Sequence, residues 1–129
     1  MAAFGGSPED GTPATEETPP RLPFPSHYSA SKHGADLAVA VWERRRLKVN
    51  TIYPSLVYGP PGKGSGSNAV IRNFLRGRFP LLVAADRPTS WIFLDDLVTG
   101  IERVIALAPA GRNYLMTGEI ATPRQLATK

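Results

Sequence analysis

The chain has 129 residues, no cysteine, 42% hydrophobic and 20% charged residues, and a formal net charge of +4 at neutral pH. That length suits one modest domain, the missing cysteines exclude disulfides and thiolate metal sites, and no apolar run approaches the roughly 20 residues that a bilayer span needs. The opening "MAAFGGSPED" has no basic start followed by an apolar core, so it does not read as a secretory signal, and a cytoplasmic protein with no membrane partner is expected.

Charge is unevenly spread. Residues 1–20 hold Glu9, Asp10, Glu16 and Glu17 without a single base, so the rest of the chain is strongly basic. The densest cationic cluster, Arg44 to Arg46, falls at the end of a helical pattern, where cations complement the helix dipole. No nucleic-acid motif accompanies it, and no nucleic-acid partner is expected.

In chain order, residues 5–25 carry six of the thirteen prolines, with Gly, Thr and Glu between them. Proline fixes its own φ and lacks an amide donor, so this stretch predicts a long, partly mobile surface loop, either a tail or an active-site flap. Ser26 is placed to cap a helix running to about Arg46. "KVNTIY", 48–53, alternates and reads as a strand ended by Pro54. "PSLVYGPPGKGSGSN" is expected to be a Gly- and Pro-rich loop. A short amphipathic helix is expected over 69–77, stopped at Gly77, then a short strand at "FPLLVA". "SWIFLDD", 90–96, is strand-like before it turns. Apolar residues at 94, 97, 98, 101, 104, 105 and 108 then mark the strongest helix of the chain. Gly111 closes it, "NYLM" is a further strand, and Thr122 starts a last helix. Strands alternating with helices indicate α/β packing.

Tyr28 and Lys32 stand at i and i+4 of the first helix, on one face, with Cβ atoms about 5–6 Å apart. A neighbouring ammonium favours a phenolate, and the same lysine can hydrogen-bond a ribose hydroxyl. One face could thus supply a proton-transfer group and a cofactor anchor. The spacing alone fits equally well a surface helix with an incidental Tyr and Lys.

The surroundings add specificity. "YSASK", then "HGADLAVAVW", the strand "VNTIYP" and "PSLVYGPPG" resemble the extended short-chain dehydrogenase/reductase superfamily, and within it the NAD(P)-dependent epimerase/dehydratase and dihydroflavonol-reductase-like branch. Pro54, Val57, Tyr58, Gly59 and Pro60 match its P-x-x-V-Y-G-P loop, and "WIFLDDLVTGI" and "TGEIATPRQLA" look like later segments of that family. The resemblance implies an α/β chain that is the C-terminal part of an NAD(P)-binding Rossmann-type doubly wound fold plus a small substrate-binding region. In it, 1–25 would be the loop, 26–60 the Rossmann-type part and 61–129 the substrate side. It further implies Tyr28 as acid/base and Lys32 as the residue that favours its phenolate and holds the nicotinamide ribose. The backbone of Pro54, Ser55, Leu56 and Val57 would border the nicotinamide ring of an NAD(P) cofactor. The partner is expected to be a small-molecule substrate with a carbonyl or hydroxyl group, and the full-length form a homodimer. No metal is implied.

Two departures qualify the resemblance. No G-x-x-G-x-x-G precedes Tyr28, although the family's dinucleotide sits on such a turn. "GPPGKGSGS" does not replace it, because Lys63 is followed by Gly64 where a phosphate loop needs Ser or Thr. "MAAFGGSP" resembles the end of the strand bearing the family's catalytic Ser or Thr, which would fall just before Met1, and Ser7 lies on the wrong side of the glycines to replace it. The chain is therefore expected to be a C-terminal half, inactive alone. The alternative is a non-catalytic remnant or partner-binding α/β fragment. The second departure is Thr89, at a position where sugar-nucleotide members often carry Arg, with Arg87 offset by two. It favours a small, fairly apolar substrate.

Overall fold

The computed structural model describes residues 2–4, 11–45, 47–60, 66–77 and 88–126. The expected strand at 79–84, and Gly5, Gly6, Ser7, Arg46, Lys63, Gly64, Arg87 and the last three residues, lie outside them. The described chain divides into two compact units, Met1–Tyr53 with Val104–Leu115, and Pro54–Arg103 with Met116–Lys129.

The first unit is organised by helix α1, His27–Arg44. Ser26 caps it as expected, its Oγ accepting from the Ser29 amide at 3.1 Å. The helix closes two residues earlier than the sequence pattern suggests: the Trp42 carbonyl accepts from the amides of Arg45 at 2.9 Å and Leu47 at 3.3 Å, which tightens the last turn. Ala2–Phe4 form a 3-10 turn rather than the expected strand end, and α1 packs on that turn. Ala3 and Phe4 are buried, and the Phe4 ring meets Tyr53 edge-on at 5.0 Å.

Strand β1, Thr51–Pro54, pairs with β4, Asn113–Met116. The Thr51 amide donates to the Arg112 carbonyl and the Ser55 amide to that of Met116, both at 3.0 Å. Partner numbers climb together, so the strands run parallel. The ladder starts later than "KVNTIY" suggests, because Val49 and Asn50 are used to receive the amides of Gly111 and Arg112. Pro54 can close the strand because nothing there requires its missing amide.

In the second unit, Leu56–Tyr58 form a strand, β2, where the Gly- and Pro-rich context predicts only loop. Its three residues acquire strand geometry by pairing in parallel with β3, Thr89–Phe93, in the register Leu56↔Trp91, Val57↔Ile92 and Tyr58↔Phe93. Between them runs α2, Gly66–Leu75, which starts three residues earlier than expected. Asn68 explains the early start: its Oδ1 accepts from the Gly59 amide at 3.1 Å and its Nδ2 donates to the Gly59 carbonyl at 2.8 Å. Gly77 leaves α2 with φ of 62°.

A two-residue strand absent from the sequence reading, β5 at Ile120–Ala121, lies antiparallel to β3. The unit's core is Trp91, 2% exposed, with Ile92, Leu97 and Ala121. The Trp91 indole donates to the Ala121 carbonyl at 3.1 Å. Helix α3, Leu94–Leu107, follows β3 directly. Of its expected apolar face, Leu97 and Val104 are buried, whereas Val98 and Ile105 stand exposed. Helix α4, Pro123–Leu126, opens on a reciprocal cap between Thr122 and Gln125.

Gly118 approaches β3 so closely that a Cβ there would lie 2.6 Å from the Trp91 carbonyl oxygen. Gly118→Ala is expected to destabilise the second unit by about 1–3 kcal/mol through forced displacement of backbone, read as a lower midpoint in denaturant unfolding followed by tryptophan fluorescence. An unchanged midpoint would contradict the contact.

Candidate functional site

Ser26 and the first turn of α1 decide where the Tyr28 and Lys32 side chains go. The cap fixes the helix phase at Ser29, and the Ser31 hydroxyl donates to the Tyr28 carbonyl at 2.8 Å. Ser29 is buried at 6% exposure and turns inward, while Tyr28 is 62% exposed and Lys32 is exposed as well. The Lys32 ammonium stands 5.4 Å from the Tyr28 ring centroid, within the range at which a cation is attracted by the ring face. The structure thus brings the two together on one solvent-facing side of the helix, with a phenol and an ammonium open to a ligand.

Pro54, Ser55, Leu56 and Val57 belong to the other unit. Pro54 and Leu56 are exposed, and Ser55 and Val57 are half-buried. The backbone there is fixed on both sides, by the Ser55 amide on the Met116 carbonyl and by the β2–β3 ladder. The Ser55 Oγ is buried without a hydrogen-bond partner, a polar atom whose desolvation nothing in the described protein offsets. Beyond Val57 the strand exit is rigid. Tyr58 packs edge-on against Phe93 at 5.4 Å and Trp91 at 6.4 Å. Gly59 has a φ of 132°, and a Cβ there would lie 3.0 Å from the Phe93 ring, so only glycine fits. This segment lies at the carboxyl end of a parallel strand pair, the end at which open α/β sheets receive ligands.

Sequence reasoning missed Asn68 and the unpaired Ser55 hydroxyl. The sequence marks Ser55 only through its backbone, and no motif marks Asn68, whose partner is a backbone reached across a loop. Among the described residues no group of three or more His, Asp or Glu could hold a metal ion, and no helix is long and apolar enough to cross a membrane.

Parallel strands joined by helical crossovers, a Tyr-x-x-x-Lys helix and a Val-Tyr-Gly-Pro strand exit define a Rossmann-type protein of the extended short-chain dehydrogenase/reductase class. The model of the NAD dependent epimerase/dehydratase family matches residues 2–116, and the chain belongs to that family. It is 33% identical over 114 residues to a dTDP-glucose 4,6-dehydratase of Mycobacterium tuberculosis, a match covering 86% of this chain and 34% of the relative. Among solved structures, the dTDP-glucose 4,6-dehydratase of Bacillus anthracis in complex with NAD superposes with a TM-score of 0.75 at 26% identity, over 99% of this chain and 42% of that one. A double mutant of the Streptomyces venezuelae dTDP-glucose 4,6-dehydratase, also with NAD bound, gives 0.74 at 30% identity, over 98% and 40%. The chain therefore spans about a third of the length of the curated relatives it matches.

Removing the cap tests how Tyr28 is held. Ser26→Ala is expected to cost about 1 kcal/mol and to speed amide exchange at Ser29, whereas Ser26→Asp keeps an acceptor and retains most of the protection. Equal protection in all three proteins would show that the cap does not set the helix start.

Proposed function

We propose that this chain is the catalytic-helix and substrate-side part of an NAD(P)-dependent oxidoreductase or epimerase that acts on a carbonyl or hydroxyl group of a small organic substrate. The observation that carries the reading is the exposed Tyr28 phenol with the Lys32 ammonium over its ring. The dinucleotide, when bound, supplies the hydride donor or acceptor. The Tyr28 hydroxyl exchanges the proton with the substrate oxygen, and Lys32 holds a ribose hydroxyl. The rigid backbone of Pro54, Ser55, Leu56 and Val57 forms a wall for the nicotinamide. The donor set on α1 fits that group at its nicotinamide end: an exposed cation beside an exposed phenol.

Residues 26–60 would then be the Rossmann-type part and 61–129 the substrate side, with 1–25 as the approach loop, and the longer protein would be a homodimer. On substrate class, the relatives' names point to dTDP-glucose, whereas Thr89, half-buried in β3 opposite Ala121, offers no cation for a diphosphate. The relatives carry more weight, and an activated sugar is the first substrate to try.

Alone, the chain should not turn over. Holding reactants in place can be worth about 7–11 kcal/mol of barrier, and a single exposed cation contact contributes about 1 kcal/mol or less. No G-x-x-G-x-x-G precedes Tyr28 to supply the remainder. In a protein restored to the relatives' length, Tyr28→Phe is expected to lower kcat by about 100-fold or more with cofactor affinity nearly intact, and Lys32→Ala to weaken both. Unchanged turnover of a dTDP-sugar or small carbonyl substrate in Tyr28→Phe would reject the assignment.

A further inference from the structure

The acidic, proline-rich stretch before α1 is tied down at several points. Thr15 and Thr18 close a turn, the Thr15 amide donating to Thr18 Oγ1 at 2.7 Å and the Thr18 amide to the Thr15 carbonyl at 3.1 Å. The Arg21 amide donates to the Phe4 carbonyl at 2.9 Å. The Phe24 ring lies 5.0 Å from that of His33 on α1. The longest-range tie is made by Glu16, whose carboxylate accepts from the Leu115 amide at 2.9 Å, 99 residues away in sequence. Glu16 and Leu115 are both half-buried.

The position of that amide gives the contact its meaning. Arg112 and Met116 turn their carbonyls to β1, and backbone groups alternate sides along a strand, so the Leu115 amide points away from β1, to the side of β4 that carries no strand among the described residues. An unpaired edge amide is a template for a further strand. Here a charged acceptor occupies it, and a hydrogen bond to a charged group is stronger than one between neutral groups.

We propose that Glu16 is a positioning residue: by sealing the outer edge of β4 at Leu115 it fixes residues 11–25 as a strap that sets the start of the Tyr28 helix. The strap runs from Glu16 through Arg21 and Phe24 into the Ser26 cap, and Tyr28 follows two residues later. Glu16 thus acts on Tyr28 through the chain between them. The sealed edge also directs any added strand away from that side of β4. The strap stands on its contacts alone, while its effect on turnover rests on the function proposed above.

Amide exchange in the 129-residue chain tests the strap without cofactor or substrate. In the unmodified protein the Leu115 amide should exchange as slowly as the amide of Thr51 in the β1–β4 ladder. Rapid exchange at Leu115 would overturn the proposal even if no variant folds. Glu16→Ala should speed exchange at Leu115 on the order of tenfold and speed tryptic cleavage after Arg21, with exchange at Trp91 unchanged. Glu16→Gln keeps an acceptor and should restore most of the protection. Unaltered exchange and cleavage in a folded Glu16→Ala protein would refute the strap. In the protein restored to full length, Glu16→Ala should lower kcat several-fold with KM for the cofactor unchanged, and Glu16→Gln should recover it. Normal kcat with a loosened strap would refute the positioning role alone, and would leave the assignment of Tyr28 untouched.

Discussion

Parallel pairing between strands distant in sequence is the constraint from which the rest of the structure follows. Two parallel strands cannot be joined by a hairpin and need a crossover. The link from β2 to β3 therefore contains α2, and the link from β1 to β4 ends in α3. The same arrangement puts the exits of β2 and β3 side by side, since Tyr58 is paired with Phe93. There the chain needs Gly59 at positive φ, and the Asn68 amide grips its backbone from α2. The run from Val57 to Pro60 thus has a local physical reason. Aromatic packing of Tyr58 and Phe93 leaves no space for a side chain at position 59.

Elements whose order depends on local signals were legible in the sequence. The Ser26 cap, the 3.6-residue period after Leu94, the exit at Gly111 and the Thr122 cap place α1, α3, β4 and α4 within a few residues. Elements that exist because of a partner were not. Leu56–Tyr58 is too short and too close to Gly and Pro to declare itself, and becomes a strand through Trp91, Ile92 and Phe93. Ile120–Ala121 is a strand only by pairing with Thr89 and Ser90. The site divides in the same way. The spacing of Tyr28 and Lys32 follows from helix geometry and could be read directly, whereas the Glu16 contact with Leu115 joins residues that no local pattern connects. The proline content agrees with the absence of helix and strand over 11–25, but it carries no information about what holds that loop in place.

The apolar surface is consistent with a chain that spans about a third of its curated relatives. Leu37, Val41 and Trp42 on α1 are 58%, 40% and 53% exposed, and Ile105 and Leu107 on α3 are about 80% exposed. Helices in α/β proteins normally bury such residues against a sheet or one another. In the described protein the sheets have two and three strands, too few to cover both helices. The Tyr28 and Lys32 side chains lie on the exposed surface of one of these helices, a phenol and an ammonium in place, and no G-x-x-G-x-x-G precedes them in the sequence to hold a dinucleotide.

In the proposed function this chain carries the proton-transfer end of an NAD(P) site and not the affinity for the dinucleotide. Calorimetric titration of the purified 129-residue chain with NAD and NADP, oxidised and reduced, tests it most directly. No saturable binding in the micromolar range is expected for any of the four. A micromolar dissociation constant that is lost in Lys32→Ala would contradict it, and would mean that these residues hold the cofactor unaided.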